Sequence, residues 1–302
     1  MRPFVVLTLV MATAAPAAAQ KFEYGKYDDV KDVKKIEWLA AAEGGIVLTT
    51  GNSETTTATA GLKASRKEGN NKLTLEGSGA YAKAGLWILY DRNGNGTIDD
   101  NSELLAANTI TAETLAGKLR YDRFLTELNS LFIAALASRD LPAGKELVFG
   151  GQLGYSRSLY KSKTANTVGE FGYDFSREDL VAPGDPVAIH SLRAFIGHHA
   201  TMTTGTDLDA AFEVLTNLNT LDLPTGKDGG PLQDTRVNTK IAITAKIGQN
   251  LAFQTALEAK YDHRPGPLGI KNLAMGFTPE AATLDTLMKA SFIYTFVGAT
   301  PK

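Results

Sequence analysis

The segment from Arg236 to Ile247 alternates strictly between two kinds of side chain. One face carries Val237, Thr239, Ile241, Ile243, Ala245 and Ile247, and the other carries Asn238, Lys240, Ala242, Thr244 and Lys246. A period of two is typical of a β-strand because successive side chains point to opposite faces. The segment is therefore predicted to be a strand with one apolar and one polar face.

Similar segments recur along the chain and predict about twelve strands, an even number as in bacterial single-chain membrane barrels. The predicted strands are 41–50, 54–66, 72–84, 109–123, 127–139, 146–158, 164–178, 188–201, 206–217, 236–247, 250–263 and 283–297. The sequence thus indicates an all-β fold, a transmembrane antiparallel up-and-down β-barrel over residues 41–297.

The connections between these strands alternate in length. The tight ones are Lys67–Asn71, Phe124–Thr126, Leu159–Lys163, Met202–Gly205 and Gly248–Gln249, whereas Gly85–Asn108, Leu218–Thr235 and Arg264–Ala282 are long. Short periplasmic turns and longer outer loops are typical of outer-membrane barrels. A soluble β-sandwich has no reason to sort its connections in this way.

The first residues read as an export signal. Arg2 supplies a positive charge, Phe4–Met11 an apolar core and Ala17–Ala19 a cleavage site, so residues 1–19 are predicted to be removed. The alternative is an uncleaved N-terminal helix. Residues 20–40 are predicted to be a periplasmic lead-in and 298–302 a C-terminal tail. No later stretch approaches the roughly 18 apolar residues of a transmembrane helix, which leaves a barrel in the bacterial outer membrane.

Composition excludes several function classes. The chain has no cysteine, which excludes a disulfide framework and thiol chemistry. Its formal net charge of −2 gives no electrostatic footprint for nucleic acid.

The two faces of the predicted strands differ in character. The face expected to contact lipid includes Leu73, Leu75, Tyr81, Leu115, Leu119, Tyr121, Leu147, Phe149, Leu153, Tyr155, Phe171, Tyr173, Phe175, Leu251, Phe253, Leu257, Tyr261, Met288, Phe292, Tyr294 and Phe296. The opposite face carries Glu76, Lys118, Arg120, Asp122, Gln152, Glu170, Asp174, Arg193, Glu213, Lys240, Lys246, Glu258, Lys260, Asp262 and Lys289. These charges either form ion pairs that fill the lumen or line a narrow aqueous path. In a soluble barrel they would instead face solvent.

Several motifs resemble a known family. They are Gly44–Ser53 (GGIVLTTGNS), the threonine-rich Glu54–Thr59, the run Tyr121–Phe124, the strand Phe171–Phe175 leading into Ser176–Glu178, and Tyr261–Pro265. Together they resemble the domain-of-unknown-function 481 family of bacterial outer-membrane β-barrels, some of them described as salt-induced. The resemblance implies an outer-membrane barrel and no catalytic residues. Many outer-membrane barrels end on an aromatic residue that the barrel-assembly machinery recognises. This chain departs from that pattern, because Phe296 is followed by Val297–Lys302 and the aromatic residue is slightly internal.

The segment from Asp91 to Asp99 reads as a calcium-binding loop. Oxygen-bearing side chains stand at loop positions one, three, five and nine (Asp91, Asn93, Asn95 and Asp99), and the Thr97 carbonyl would be the position-seven ligand. Position twelve is Ser102, but Glu103 follows it and is the expected closing ligand. Weak Ca²⁺ binding is expected, on the order of 10⁻⁴–10⁻³ M. The alternative is a plain Asn-Gly turn within the outer loop 85–108.

The histidines do not form a catalytic pattern. His190 and Ser191 are adjacent in a predicted strand, so their side chains point to opposite faces, and the same holds for His198 and His199. A hydrolase would need a serine and a histidine that meet on one face. The chain is therefore expected not to be an enzyme.

The favoured interpretation is a narrow passive channel or a structural protein of the envelope-stress response, in contact with outer-membrane lipid. As a channel it would pass small ions or solutes, with Arg120, Arg193, Lys240 and Glu258 setting the ion selectivity. The alternatives are a surface binding or adhesion module, whose outer loops would hold calcium and a ligand, and an outer-membrane lipid hydrolase.

Overall fold

The computed structural model describes residues 36–49, 55–89, 104–141, 143–181, 185–222, 229–267 and 281–297. These residues form twelve strands. They are β1 (Glu37–Thr49), β2 (Thr55–Glu68), β3 (Asn71–Leu89), β4 (Leu104–Phe124), β5 (Asn129–Asp140), β6 (Lys145–Lys161), β7 (Ala165–Leu180), β8 (Val187–Thr203), β9 (Thr206–Asn217), β10 (Thr235–Lys246), β11 (Leu251–Asp262) and β12 (Leu284–Val297). No helix in these ranges is long and apolar enough to cross a membrane.

The strands form a closed antiparallel barrel in which each strand pairs with its sequence neighbours and β12 pairs with β1. Closure lets the backbone N–H and C=O groups of every strand form hydrogen bonds with a neighbouring strand. In an open sheet in lipid, these groups would be unpaired at the two edge strands. On β10, the side chains of Ile241 and Ile243 are exposed on the outside, whereas Ala242 between them is buried inside. The predicted fold class and the alternation that led to it are confirmed.

The connections sort by length between the two ends of the barrel. Connections 69–70, 125–128, 162–164, 204–205 and 247–250 are at one end, which we call the turn end. The strand ends that flank connections 50–54, 90–103, 141–144, 181–186, 218–234 and 263–283 are at the other, the loop end. The long connections therefore share one end, as the sequence predicted.

The largest differences from the predicted boundaries are at the start of β1 and in the β3–β4 hairpin. β1 begins at Glu37 rather than at residue 41, because Glu37–Ala40 continue the ladder opposite Ala64–Lys67 of β2. The β3–β4 hairpin extends into the segment predicted to be a loop, up to the pair Leu89 and Leu104. The continuous apolar run Leu86–Leu89 has no period of two, so the alternation criterion ended the strand too early.

A broad apolar surface surrounds the barrel. The residues predicted to face lipid are exposed or half-buried on the outside, among them Leu75, Leu119, Leu153 and Leu257. Tyrosines near the turn end bond to polar neighbours: the Tyr121 hydroxyl donates to Asn71 Oδ1 (2.6 Å), and the Tyr155 hydroxyl bonds Asn129. Aromatic rings with one polar tip at the edges of an apolar band are typical of membrane barrels.

Candidate functional site

The lumen is crossed by a buried ion-pair network centred on Arg120 of β4. Arg120 Nη2 donates to Asp122 Oδ1 on the same strand and to Glu170 Oε1 on β7, each at 2.7 Å. Arg120 is 2% exposed, and β4 and β7 are not neighbours in the sheet. The bond to Glu170 therefore spans the lumen instead of lying along the wall.

The network continues from Glu170 across the next strands. Arg193 of β8 donates from Nη1 to Glu170 Oε2 (2.9 Å) and from Nε to Glu213 Oε1 of β9 (2.6 Å). Asn238 Nδ2 of β10 donates to the second oxygen of Glu213 (2.9 Å). We call the set Arg120, Asp122, Glu170, Arg193, Glu213 and Asn238 the cross-lumen network. It connects one wall, at β4, to the opposite side, at β10.

Aromatic rings support the two guanidinium groups. The centre of the Phe132 ring on β5 lies 4.1 Å from Arg120 Cζ and 5.6 Å from Arg193 Cζ, and Phe195 lies 5.1 Å from Arg193 Cζ. A cation over an aromatic face is attracted by the ring quadrupole, most strongly where water is excluded. Phe132 therefore stabilises both guanidinium groups inside the lumen.

Two glycines make room for this arrangement. A Cβ added at Gly154 of β6 would lie 2.8 Å from the Phe132 ring and 2.6 Å from the Phe171 carbonyl oxygen. Gly172 of β7 is paired directly with Gly154, and a Cβ there would lie 2.3 Å from the Leu153 carbonyl oxygen. The close approach of the backbones is therefore possible only with glycine at these positions.

A second ion pair between non-adjacent strands crosses the lumen nearer the loop end. Arg236 of β10 approaches Glu178 of β7, with Nη1 3.4 Å from Oε1, and its Nη2 donates to Ser191 Oγ on β8 (3.1 Å). Lys145 of β6 also pairs with Glu178, at 2.8 Å. Buried charges such as these need their partners because an unpaired charge in a water-poor interior is strongly destabilising.

Two further ion pairs in the described part of the lumen lie along its wall. Lys240 of β10 pairs with Glu258 of neighbouring β11 (3.0 Å), and Lys289 of β12 pairs with Glu43 of neighbouring β1. Each pair joins adjacent strands, so neither of these two pairs crosses the lumen.

Two of the cavities in the described part of the lumen lie toward opposite ends of the barrel. The turn-end cavity has a volume of about 280 Å³. Its lining includes, on β9 and β10, Asp207, Asp209, Ala210, Ala211, Lys240, Ala242 and Thr244. The loop-end cavity, of about 150 Å³, is lined on the same strands by Leu215 and by Arg236 and Asn238. Glu213 lies between the two sets on β9, so the cross-lumen network separates the cavities.

The structure places most of the predicted lumen residues inside the barrel. It brings Arg120 and Arg193 together through Glu170, and it pairs Lys240 with Glu258. Lys246 is an exception: it was predicted on the inner face, but it is exposed at the turn end, where its amide donates to Gly205. The β10 ladder ends there, so the side chain extends beyond the lumen.

The histidines are held by separate partners. Ser191 is completely buried inside the barrel, whereas the half-buried His190 contacts Tyr173 and Phe175, so the two diverge as predicted. His199 bonds Asp209 in the turn-end cavity at 2.8 Å, and His198 bonds Thr167. The structure therefore brings neither adjacent pair onto one face.

Asp234 is a buried carboxylate outside the strands, in the connection before β10. It is 3% exposed, and its Oδ1 has no hydrogen-bond partner. Burial raises the pKa of Asp234 above its ordinary range, and the neighbouring carboxylate of Asp262 raises it further, against the opposing charge of Arg236. This connection therefore contains a charge that the fold stabilises poorly.

The predicted calcium ligands Asp91, Asn93, Asn95, Thr97, Asp99 and Glu103 lie outside the described residues. Within the described ranges, no group of three or more histidine, cysteine, aspartate or glutamate residues could hold a metal ion. Calcium binding therefore stays a prediction from the sequence.

Sequence reasoning missed several residues of the site. Phe132 and Phe195 are apolar residues on the polar face, where they support Arg120 and Arg193. Glu43 was read only as part of a strand. A usable signal was available for Phe132: it alternates with the outward-facing Leu131 and Ile133, which places its ring inside.

The family model described as "Protein of unknown function, DUF481" matches residues 42–296, nearly the whole barrel. The chain belongs to the DUF481 family. This confirms the resemblance seen in the sequence motifs. The matched segment of this DUF481 protein includes every residue of the cross-lumen network. No curated protein matches the sequence.

Several solved structures resemble the DUF481 barrel at low sequence identity. The NanC porin is 11% identical with a TM-score of 0.42, and the match covers 86% of this chain and 100% of that one. The translocator domain of the autotransporter NalP from Neisseria meningitidis is 12% identical with a TM-score of 0.40, covering 86% and 88%. An anion-selective porin from Comamonas acidovorans is 10% identical with a TM-score of 0.37, covering 87% and 99%.

Proposed function

We propose that this chain is a non-enzymatic barrel of the bacterial outer membrane that forms a narrow passive channel for small hydrophilic solutes. The apolar outer surface supports the location, because an uncovered apolar band of this extent is unfavourable in water and favourable in lipid. The character of the lumen is evidence for a channel, because the inward-facing side chains are mainly polar or charged.

The cross-lumen network is the observation that carries the proposal. It fills the interior between β4 and β9 with side chains that water does not reach, Arg120 at 2% and Arg193 at 1% exposure. A solute passing from one cavity to the other would move along the opposite wall. There it would pass the Lys240–Glu258 and Lys289–Glu43 pairs, which would set the ion selectivity of the constriction.

Solute influx into liposomes tests this proposal. Vesicles containing the refolded barrel should swell in isotonic glycine or arabinose and should not swell in isotonic raffinose, because the network leaves a passage only for the smallest solutes. Protein-free vesicles and vesicles with heat-unfolded protein serve as controls. Equal swelling in all three solutes would contradict a narrow passage, and no swelling with any of them would contradict a channel.

Calcium binding by the segment from Asp91 to Glu103 belongs to the same proposal. Its support is the spacing of oxygen ligands in the sequence and its place at the loop end, between β3 and β4. An ion held there would stiffen the longest hairpin at the mouth of the barrel.

A further inference from the structure

The turn-end cavity contains a buried carboxylate without a hydrogen-bond partner. Glu76 of β3 is 4% exposed, and neither of its carboxylate oxygens accepts a hydrogen bond. Lys63 of β2 and Lys118 of β4 are paired with Glu76 in the strand register, yet neither donates to it. A carboxylate in this setting is strongly stabilised by any positive donor that enters the cavity.

The rest of the lining adds negative charge. The carboxylates of Glu43, Glu76, Asp207 and Asp209 line the cavity, together with the ammonium groups of Lys63 and Lys240. Lys240 pairs with Glu258 and Glu43 pairs with Lys289, and both of these partners lie outside the lining. With these two pairs set aside, the lining has three carboxylates, Glu76 on β3 and Asp207 and Asp209 on β9, and one ammonium group, Lys63. Acidic groups are therefore in excess, on two separate walls.

The size and the wall chemistry limit what can enter. A cavity of about 280 Å³ is slightly smaller than most small-molecule sites, so only a small ligand fits. Ala41, Ala211 and Ala242 form small apolar patches between the charged groups. Such a cavity fits a short aliphatic chain that carries an ammonium group. A bare metal ion is a poorer fit, since no cluster of three metal-ligating side chains exists in the described part of the chain.

We propose that the turn-end cavity binds small organic ammonium ions, with Glu76 accepting hydrogen bonds from the ammonium group. A second ammonium on the same molecule would face Asp207 and Asp209 on the opposite wall. The proposal deepens the channel function by naming its solute class, and it rests on that function only for the route by which solutes enter the lumen.

Equilibrium dialysis of 1,4-diaminobutane against the refolded barrel in detergent micelles tests the site directly. The wild type should bind the diamine and should not bind 1,4-butanediol, a neutral molecule of the same length. Glu76→Gln should weaken diamine binding about 30-fold or more, because a buried charged partner is lost. Glu76→Asp, which keeps the charge, should retain measurable binding.

Glu113→Gln is the matched control, because Glu113 is an exposed carboxylate on the outer side of the barrel that contacts Arg139. This variant should bind as the wild type does. Heat-dependent gel mobility checks that each variant is folded, and the comparison of the diamine with 1,4-butanediol in the wild type keeps the proposal falsifiable if Glu76→Gln does not fold. Absence of diamine binding to the wild type, or equal binding by Glu76→Gln, would overturn the inference. Because the assay needs no membrane, either result is independent of whether the barrel conducts.

Discussion

Arg120 and Glu170 meet in the lumen with Nη2 2.7 Å from Oε1, although their strands, β4 and β7, are separated in the sheet by β5 and β6. Only side chains that cross the interior can join strands so placed. The pair is almost completely shielded from water, as are Asp122 and Arg193 beside it. The central part of this barrel is therefore held together from inside as well as by its backbone ladders.

Removal of the Arg120 side chain should destabilise the barrel strongly. Arg120→Ala leaves Asp122 without its guanidinium partner in a buried position, which costs about 3–5 kcal/mol when one member of a buried pair is lost. Urea-induced unfolding from lipid vesicles measures the change. Arg66→Ala is the control, because Arg66 pairs with Glu68 on the exposed surface and should cost less than about 1 kcal/mol. Similar losses for both variants would contradict the structural role of the network.

A charge on the outer apolar band should be tolerated according to its depth. Leu257, at the middle of β11, is 52% exposed on the outside, and Leu251, at the turn end of the same strand and face, is 37% exposed. Leu257→Arg should cost roughly 2–4 kcal/mol in a bilayer, and Leu251→Arg roughly 0–1 kcal/mol. Unfolding free energies from vesicles test the difference. Equal costs at the two positions would show that the band does not lie in lipid.

The buried carboxylate of Asp234 should make stability depend on pH. Because its pKa is raised in the folded state, the folded protein binds more protons than the unfolded chain, and stability falls as pH rises through the folded pKa. Asp234→Asn should therefore be more stable than the wild type at neutral pH. The advantage should shrink as pH falls toward the ordinary aspartate pKa.

Unfolding midpoints of the wild type and Asp234→Asn over a pH series measure this effect. Asp222→Asn, at an exposed residue of the same connection, serves as the control for the amide substitution. A constant difference between Asp234→Asn and the wild type at all pH values would argue against a titrating group at Asp234.

Calcium should protect the connection between β3 and β4 from proteolysis. We expect slower cleavage near Asp91 in millimolar Ca²⁺ than in chelator, because bound oxygen ligands would hold the loop in one conformation. Glu103→Gln should remove most of this protection, whereas Glu127→Gln, in a turn-end connection, should keep it. Identical cleavage of the wild type with and without chelator would exclude the site.

The sequence predicted the strands well because membrane barrels repeat one simple rule. Each strand places apolar residues outside and polar residues inside, so a period of two reveals both the strand and its orientation. The rule failed at Leu86–Leu89, where a continuous apolar run extends β3 without alternation. It also failed at Lys246, because alternation does not show where the lumen ends.

The candidate site was predictable only in part. Alternation placed Arg120 and Glu170 on the inner face, but they are 50 positions apart, and no local pattern shows which inner residues meet across a barrel. That choice depends on strand tilt and stagger. No sequence pattern distinguishes Gly154 from other strand glycines, although it provides the space that the Phe132 ring occupies.

Single-channel conductance tests the central claim most directly. The wild type in a planar bilayer should give small, discrete current steps. Arg120→Ala combined with Asp122→Ala should give larger steps, because it removes the β4 end of the cross-lumen network and leaves Glu170 paired with Arg193. The exposed-pair control, Arg66→Ala with Glu68→Ala, should conduct as the wild type does. Steps of equal size in all three proteins would contradict the claim that this network sets the width of the channel.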